Sequence, residues 1–401
     1  MNKLLFYIFS LLLIVSCASD HIEDSITTDN NLPATELDDN KGEEDTLWMT
    51  AVGATVPDLE LYGDEGETRA LTFDYENRIM KFTWHQGANS REGDLIGVFP
   101  TKIEGIDSEE TQQIEFGLTQ DPLVVSDHSV TGTFQSNDNS ITTLEANTLY
   151  LSYAPYISEE GNGDFHYTNV PVTYLDQVQA SNVDMDAYFK KTDESEMTKY
   201  KDSETAASAH LTKYDYLASA ATTRGMGGVH FDYTRLGSVV RFYLKVPDDI
   251  KYDQIQVVNT KAKFMTKGTM NVKTKTLNAK NSSHVVTLKL GETGLESSLS
   301  TTNSTRYIVA YMMFAPINLK TSEIPNCSLY LCGHTKTEPS IKKYYKANSL
   351  TKINIAQNKV QQWAPTIGSD EPITFNAISV EEWKEGTTFS NGDDGKGTEG
   401  W

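Results

Sequence analysis

The chain has 401 residues and a formal charge of −22. Once a leader and a polar tail are set aside, roughly 340 residues remain, enough for two domains of ordinary size, each with its own core. A surface this acidic repels phosphate backbones, which excludes nucleic acid as a partner, and it gives no peripheral hold on anionic lipid.

The first sixteen residues carry one Lys and then an apolar run ending in Ile14-Val15-Ser16. That is the layout of a secretory signal. Its junction, Ile14-Val15-Ser16-Cys17, resembles the lipobox of bacterial lipoproteins. The resemblance implies a signal peptide over 1–16 and acylation of Cys17, which becomes the first residue of the mature chain. The other reading is an ordinary signal peptide with an incidental Cys. Two or more acyl chains, at about 0.8 kcal/mol per buried methylene, anchor a protein stably. Apart from the leader, no segment reaches the 18 or so apolar residues of a membrane span. Residues 17–46 are acidic and poor in aromatics, and read as a disordered tether.

From Leu47 the chain is strand-rich. Met80, Phe82 and Trp84 alternate with Lys81, Thr83 and His85, a period-two pattern. Asp94–Pro100 reads as a strand stopped by Pro100, and Thr148–Tyr156 as another. Turn clusters such as Ser136-Asn137-Asp138-Asn139 separate them. Short strands at this spacing predict a β-sandwich over 47–222. Residues 176–224 differ, mixing both signs of charge from Asp184 to Glu204 before Ala206-Ala207-Ser208-Ala209. They read as an irregular to locally helical connection. A second sandwich is expected over 223–368, from Val229-His230-Phe231 through runs such as Ser238–Val246 and Arg306–Phe314 to Trp363. Residues 369–401 hold one more strand and a Gly/Asp-rich tail. The predicted class is therefore all-β, with two sandwiches in tandem.

Chemistry is scarce. Cys327 and Cys332 lie at an odd offset in one predicted strand, which puts their thiols on opposite faces and argues against a disulfide between them. The eight His residues are scattered with no pair at metal-ligand spacing. Asn182–Asp186 imitates the start of a calcium loop, but Ala187 stands where that loop needs Gly and Asp193 where it needs Glu. It reads as a polar turn. No nucleophile elbow, phosphate loop or dinucleotide fingerprint occurs. The chain reads as a non-enzyme with no cofactor and no metal.

Three segments together resemble the fimbrillin family of Gram-negative pilus proteins, in its lipoprotein form. The first is Glu67-Thr68-Arg69-Ala70, then Ile79–Trp84, then Gly93–Phe99. The second is Val172–Gln179 with Tyr214–Ala218. The third runs from Val229-His230-Phe231 to Val239-Val240-Arg241-Phe242. One departure is the insertion of Gly87–Glu92 before Gly93-Asp94, which predicts a longer loop. The resemblance implies two transthyretin-like sandwiches and a surface location, in the outer membrane through the lipid or in a fimbrium. It implies cutting by a trypsin-like protease after Arg69, leaving Ala70 as the new start, with Arg78 and Arg91 as fallbacks. It also implies polymerisation with other fimbrial subunits by strand exchange, serving adhesion to a host or bacterial surface receptor. The donor strand would be 373–383, anchored by Phe375, Ile378, Val380 and Trp383. The phase of these residues slips between Phe375 and Ile378, which predicts a bulge or two short strands. Should that strand complete its own domain instead, the chain cannot donate, and a tip or accessory role fits better than a stalk role. Two other classes stay open. One is a surface glycan-binding lipoprotein beside an outer-membrane transporter, for which Tyr150, Tyr153 and Tyr156 form a candidate aromatic face. The other is a secreted hydrolase, which would need a carboxylate pair in a cleft.

Overall fold

A computed structural model describes residues 48–52, 72–74, 79–81, 84, 93–102, 112–119, 123–126, 129–136, 148–159, 165–222, 229–317, 327–347, 355–363 and 372–379. Within them the chain is all-β with one short helical connection.

The first half supplies β1 (Trp48–Val52), β2 (Thr72–Asp74), β3 (Ile79–Lys81), β4 (Leu95–Lys102), β5 (Ile114–Leu118), β6 (Leu123–Ser126), β7 (Ser129–Ser136), β8 (Thr148–Ala154), β9 (Val170–Thr173) and β10 (Gln177–Gln179). Helices α1 (Met185–Lys190) and α2 (Glu194–Ser208) and a 3-10 turn over Ala209–Tyr214 follow. Aspartates start both helices: Asp184 accepts from the Ala187 amide and Asp193 from the Glu196 amide, each at 2.9 Å. A side-chain oxygen there satisfies a helix N–H that has no partner within the helix. The polar turn at Asn182–Asp186 is thus a helix cap.

Then come β11 (Leu217–Thr222), β12 (Val229–Asp232), β13 (Thr234–Arg235), β14 (Ser238–Val246), β15 (Lys251–Asn259), β16 (Phe264–Asn271), β17 (Thr276–Ser283), β18 (Val285–Leu290), β19 (Leu295–Glu296), β20 (Ser298–Ser300), β21 (Thr305–Phe314), β22 (Cys327–His334), β23 (Lys342–Ala347), β24 (Lys359–Trp363) and β25 (Ile373–Ile378).

Among the described residues the first large sheet runs β12-β1-β7-β5-β4-β8-β11-β13, with β6 on β7. Its two end strands are consecutive in sequence, so the segment 229–235 touches both ends and the sheet curls round a core. Trp84, Phe99, Phe116, Phe134, Leu151 and Tyr153 fill that core. The split expected at 222/223 runs through this sheet: β12 and β13 lie beyond it yet pair with β1 and β11. In the other direction β9 pairs with β16, and β10 with β18. Edge strands from each half complete sheets in the other, which apolar periodicity alone does not reveal.

Pro100 does not end its strand. β4 continues to Lys102, with Pro100 opposite Tyr150. Pairing with β5 stops at Val98, so beyond that point β4 is an edge on that side, where a residue without an N–H is tolerated.

The second large sheet runs β10-β18-β15-β22-β23-β25-β14-β21-β20, with β19 on β15 and β24 on β14. β14 and β21 are buried on both faces. Val239 and Tyr243 belong to the first core, while Val240, Phe242 and Leu244 meet Ile255, Val257, Leu288 and Leu331 in a second. Burial on both faces explains why these strands read as nearly unbroken apolar runs rather than alternating ones. Cys327 and Cys332 form no disulfide and are buried in different clusters, one inside the second core and one on the outer face, in keeping with their odd spacing.

β25 is a single strand without a bulge: Phe375 to Ile378 pair in step with Ala347 to Tyr344. The slip predicted there reflects two faces instead. Ile373 and Phe375 enter the second core, whereas Ile378 packs outside with Tyr330 and Cys332.

Candidate functional site

Among the described residues β1, β14, β18 and β25 each lie between one parallel and one antiparallel neighbour, and two of them, β1 and β25, bear on the expected strand exchange. β1 runs antiparallel to β7 and parallel to β12, with Met49 opposite Phe134 and Val229, and Ala51 opposite Gly132 and Phe231. Among the described residues, no strand other than β1 pairs with β12. β1 is therefore the ladder that joins β12 to the rest of the sheet.

The walls and floor of this slot are built. Phe134, Val229 and Phe231 are buried. The Trp84 ring stands edge-on to Phe134 at 4.8 Å and to Tyr233 at 5.9 Å. A Cβ placed on Gly132 would lie 2.8 Å from both Leu118 and Trp84, so only glycine lets β7 pass over that floor. The C-terminal end of the β12 wall is fixed. Tyr233 shares a 2.6 Å hydrogen bond with Ser152. Arg235 donates to both Asp215 oxygens at 2.6 and 3.1 Å, and both side chains are fully buried. Such a bidentate pair holds its geometry firmly.

β25 is the second inserted strand. It runs parallel to β14, through Leu244 opposite Ile373 and Lys245 opposite Thr374, and antiparallel to β23. β24 covers the first half of the same β14 edge, Ser238 to Phe242. Trp363 closes this corner against Phe242 at 5.1 Å.

Of the expected site residues, Phe375 and Ile378 lie on β25 of their own chain, on opposite faces. Cys17, Arg69, Ala70, Val380 and Trp383 fall outside the described residues. Tyr150 and Tyr153 are core residues: Tyr153 stacks near Phe99 at 5.9 Å and donates to Gln113 at 2.6 Å, and burial pushes its phenol far up. They do not form an exposed aromatic face. His230 is exposed on β12, 3.8 Å from Asp232. No group of His, Cys, Asp and Glu among the described residues is placed to hold a metal ion, and no helix there is long and apolar enough to cross a membrane.

No protein-family model and no curated protein matches the sequence. Solved structures do resemble it. A candidate cell adhesion protein from Bacteroides ovatus is 13% identical with TM-score 0.40, covering 81% of this chain and 96% of that one. Another from Bacteroides uniformis is 10% identical with TM-score 0.41, covering 84% and 99%. A fimbrial assembly protein from Parabacteroides distasonis is 10% identical with TM-score 0.33, covering 84% and 97%.

Sequence reading missed Gly132 and the role of β12 as a wall. Gly132 sits in Val130-Thr131-Gly132-Thr133-Phe134, and a glycine inside a strand pattern is the one signal that could have flagged a close approach.

Proposed function

We propose that this chain is a fimbrial subunit or an accessory or tip adhesin, exported as a lipoprotein and assembled by protease-triggered strand exchange. The similar structures named above carry adhesion and fimbrial-assembly names, and this reading sets the present chain beside them. Cys17 is the lipid anchor to the outer membrane, and a trypsin-like protease cuts after Arg69 to leave Ala70. Other fimbrial subunits and a surface receptor are the remaining partners.

The observation that carries the reading is the β1 slot. β1 lies on the N-terminal side of Arg69, so a cut there severs the covalent link between β1 and the sheet it completes. Withdrawal of β1 leaves an edge of β7 and an edge of β12 facing each other, a template for an added strand. The chain also carries a strand of matching residue order. Met49-Thr50-Ala51-Val52 and Phe375-Asn376-Ala377-Ile378 both read large apolar, polar, Ala, branched aliphatic. In the same register Ala377 falls opposite Gly132, as Ala51 does. While β25 stays seated on β14 and β23, the chain accepts a strand without donating one, which is the behaviour of a tip or accessory subunit.

The test is intact mass and N-terminal sequencing of protein from surface fibres, with and without trypsin-like activity. It is paired with a Thr133→Cys/Asn376→Cys variant. A protease-dependent start at Ala70 supports the reading. A disulfide between subunits then assigns a stalk position, and its absence an end position. A chain acylated at Cys17, uncut and monomeric on cells that make fibres, overturns it.

A further inference from the structure

Among the described residues, the outer edge of β21 is paired by a strand over only part of its length. β20 pairs with it only from Thr305 to Tyr307. Beyond that, among the described residues, no strand pairs with its outer side. Along this stretch lie Ile308-Val309-Ala310-Tyr311-Met312-Met313-Phe314, seven apolar residues with no charge and no proline. A window of that composition would be the signature of edge-to-edge association if its edge were left bare.

Side chains occupy the edge instead. The Asn182 amide donates to the Tyr307 carbonyl at 3.0 Å and accepts from the Val309 amide at 3.0 Å. Gln179 donates to the Val309 carbonyl at 2.8 Å and accepts from the Tyr311 amide at 2.9 Å. Gln177 donates to the Met313 carbonyl and accepts from its amide, each at 2.8 Å. A ring nitrogen of His210 lies 3.0 Å from the Tyr311 carbonyl. Every outward peptide group from the Tyr307 carbonyl to the Met313 carbonyl therefore meets a side chain. Each primary amide turns one N–H and its oxygen to β21, matching the one donor and one acceptor of a backbone peptide, and its second N–H goes to the Tyr174, Ser181 or Glu296 carbonyl. Three of them imitate the ladder of an added strand without being one. Gln177 and Gln179 are themselves fully buried.

The other outer strands are guarded by ordinary means. β10 and β20 are three residues long. β17 is long, but it carries Lys280 and two register shifts against β16. Compared with these described strands, β21 combines length with an apolar sequence, and it carries the amide ladder.

We propose that Gln177, Gln179 and Asn182 form a stopper that closes the β21 edge against strand pairing with a second copy of this chain. The partner excluded is the same edge of another molecule, since an antiparallel pair of identical strands closes a two-fold dimer. The stopper confines strand addition to other edges of the molecule, whichever those are.

The test replaces the amides by apolar side chains of similar size, in the full chain: Gln177→Met, Gln179→Met and Asn182→Leu together. Hydrogen exchange at the Val309, Tyr311 and Met313 amides is expected to speed up at least tenfold in dilute solution. It is then expected to slow again as concentration rises, in step with dimer formation seen by sedimentation. The parent chain shows neither change. A folded variant that stays monomeric, with exchange at these amides independent of concentration, overturns the proposal and leaves the amides a packing role. If the triple variant does not fold, Asn182→Ala opens the end of the ladder alone. The Val309 amide then gives the same two outcomes: concentration-dependent protection supports the stopper, and its absence overturns it.

Discussion

β1 and β25 are seated alike and held unequally. Each lies between one parallel and one antiparallel neighbour. β1 is matched along five residues of β7 and four of β12. β25 is matched along two residues of β14 and four of β23, staggered so that no stretch is fully flanked. β25 is also held by what it buries: Ile373 and Phe375 are 1% and 8% exposed, each contributing about 1.5–3 kcal/mol if fully buried. β25 is thus secured by the side chains it buries as well as by its ladder. A ladder accepts any chain of the right register, whereas a pocket for two large side chains selects its occupant.

The largest effect that would sharpen this contrast lies outside both strands. Asp215→Ala leaves the buried Arg235 charge without its carboxylate at the fixed end of β12. It is expected to cost about 3–5 kcal/mol, read by urea denaturation, with hydrogen exchange rising first in β11, β12 and β13. Next, Phe375→Ala is expected to cost about 3–5 kcal/mol. Ile378→Ala, on the outer face of the same strand, is expected to cost about 1 kcal/mol because Ile378 is only half-buried. Equal losses for the two variants would break the claim that β25 is held from its inner face. Gly132→Ala comes third. Its methyl meets Leu118 and Trp84 at the floor of the β1 slot, and overpacking of that kind costs about 1–3 kcal/mol. Exchange should rise in β1 and β7 and not in β25.

How much of this was legible beforehand differs between the two slots. The all-β class, the helical connection and the strand at 373–378 were readable, because alternation, charge mixing and aliphatic runs are local signals. The seating of β25 stayed one of two outcomes, since period-two reading says which residues share a face and not which sheet receives them. A removable first strand followed from the family resemblance, but the neighbours of β1 were not readable from its residues. Nothing in Trp48–Val52 announces that it lies between β7 and a strand some 180 residues later, because pairing between distant segments leaves no periodic trace in either. The β21 stopper was hidden for a related reason. Gln177, Gln179 and Asn182 look like a polar connection until the edge they serve is known.

The smallest expected effect concerns that connection, and it separates the β21 side of the molecule from the β1 side. His210 has ring nitrogens 3.1 Å from the Ala207 carbonyl and 3.0 Å from the Tyr311 carbonyl. Burial outweighs these two contacts and pushes its pKa down from 6.5 to about 4. The fold therefore holds the neutral ring, while the unfolded chain takes up a proton near the ordinary value. Above about pH 6.5 both states are neutral and the group costs nothing. As pH falls from there toward about 4, the unfolded state binds more protons and stability drops, by at most about 1.4 kcal/mol per pH unit. Carboxylates shared by all variants titrate in the same range, so the informative quantity is a difference. Denaturation midpoints at pH 7 and pH 5 should separate more for the parent chain than for His210→Gln, with the excess exchange confined to β21 and the 3-10 turn. Parallel losses in the two proteins would show that the proton is taken up elsewhere. Excess exchange in β1 would show that the two slots are coupled through the first core, which Tyr311 and Met313 help to fill.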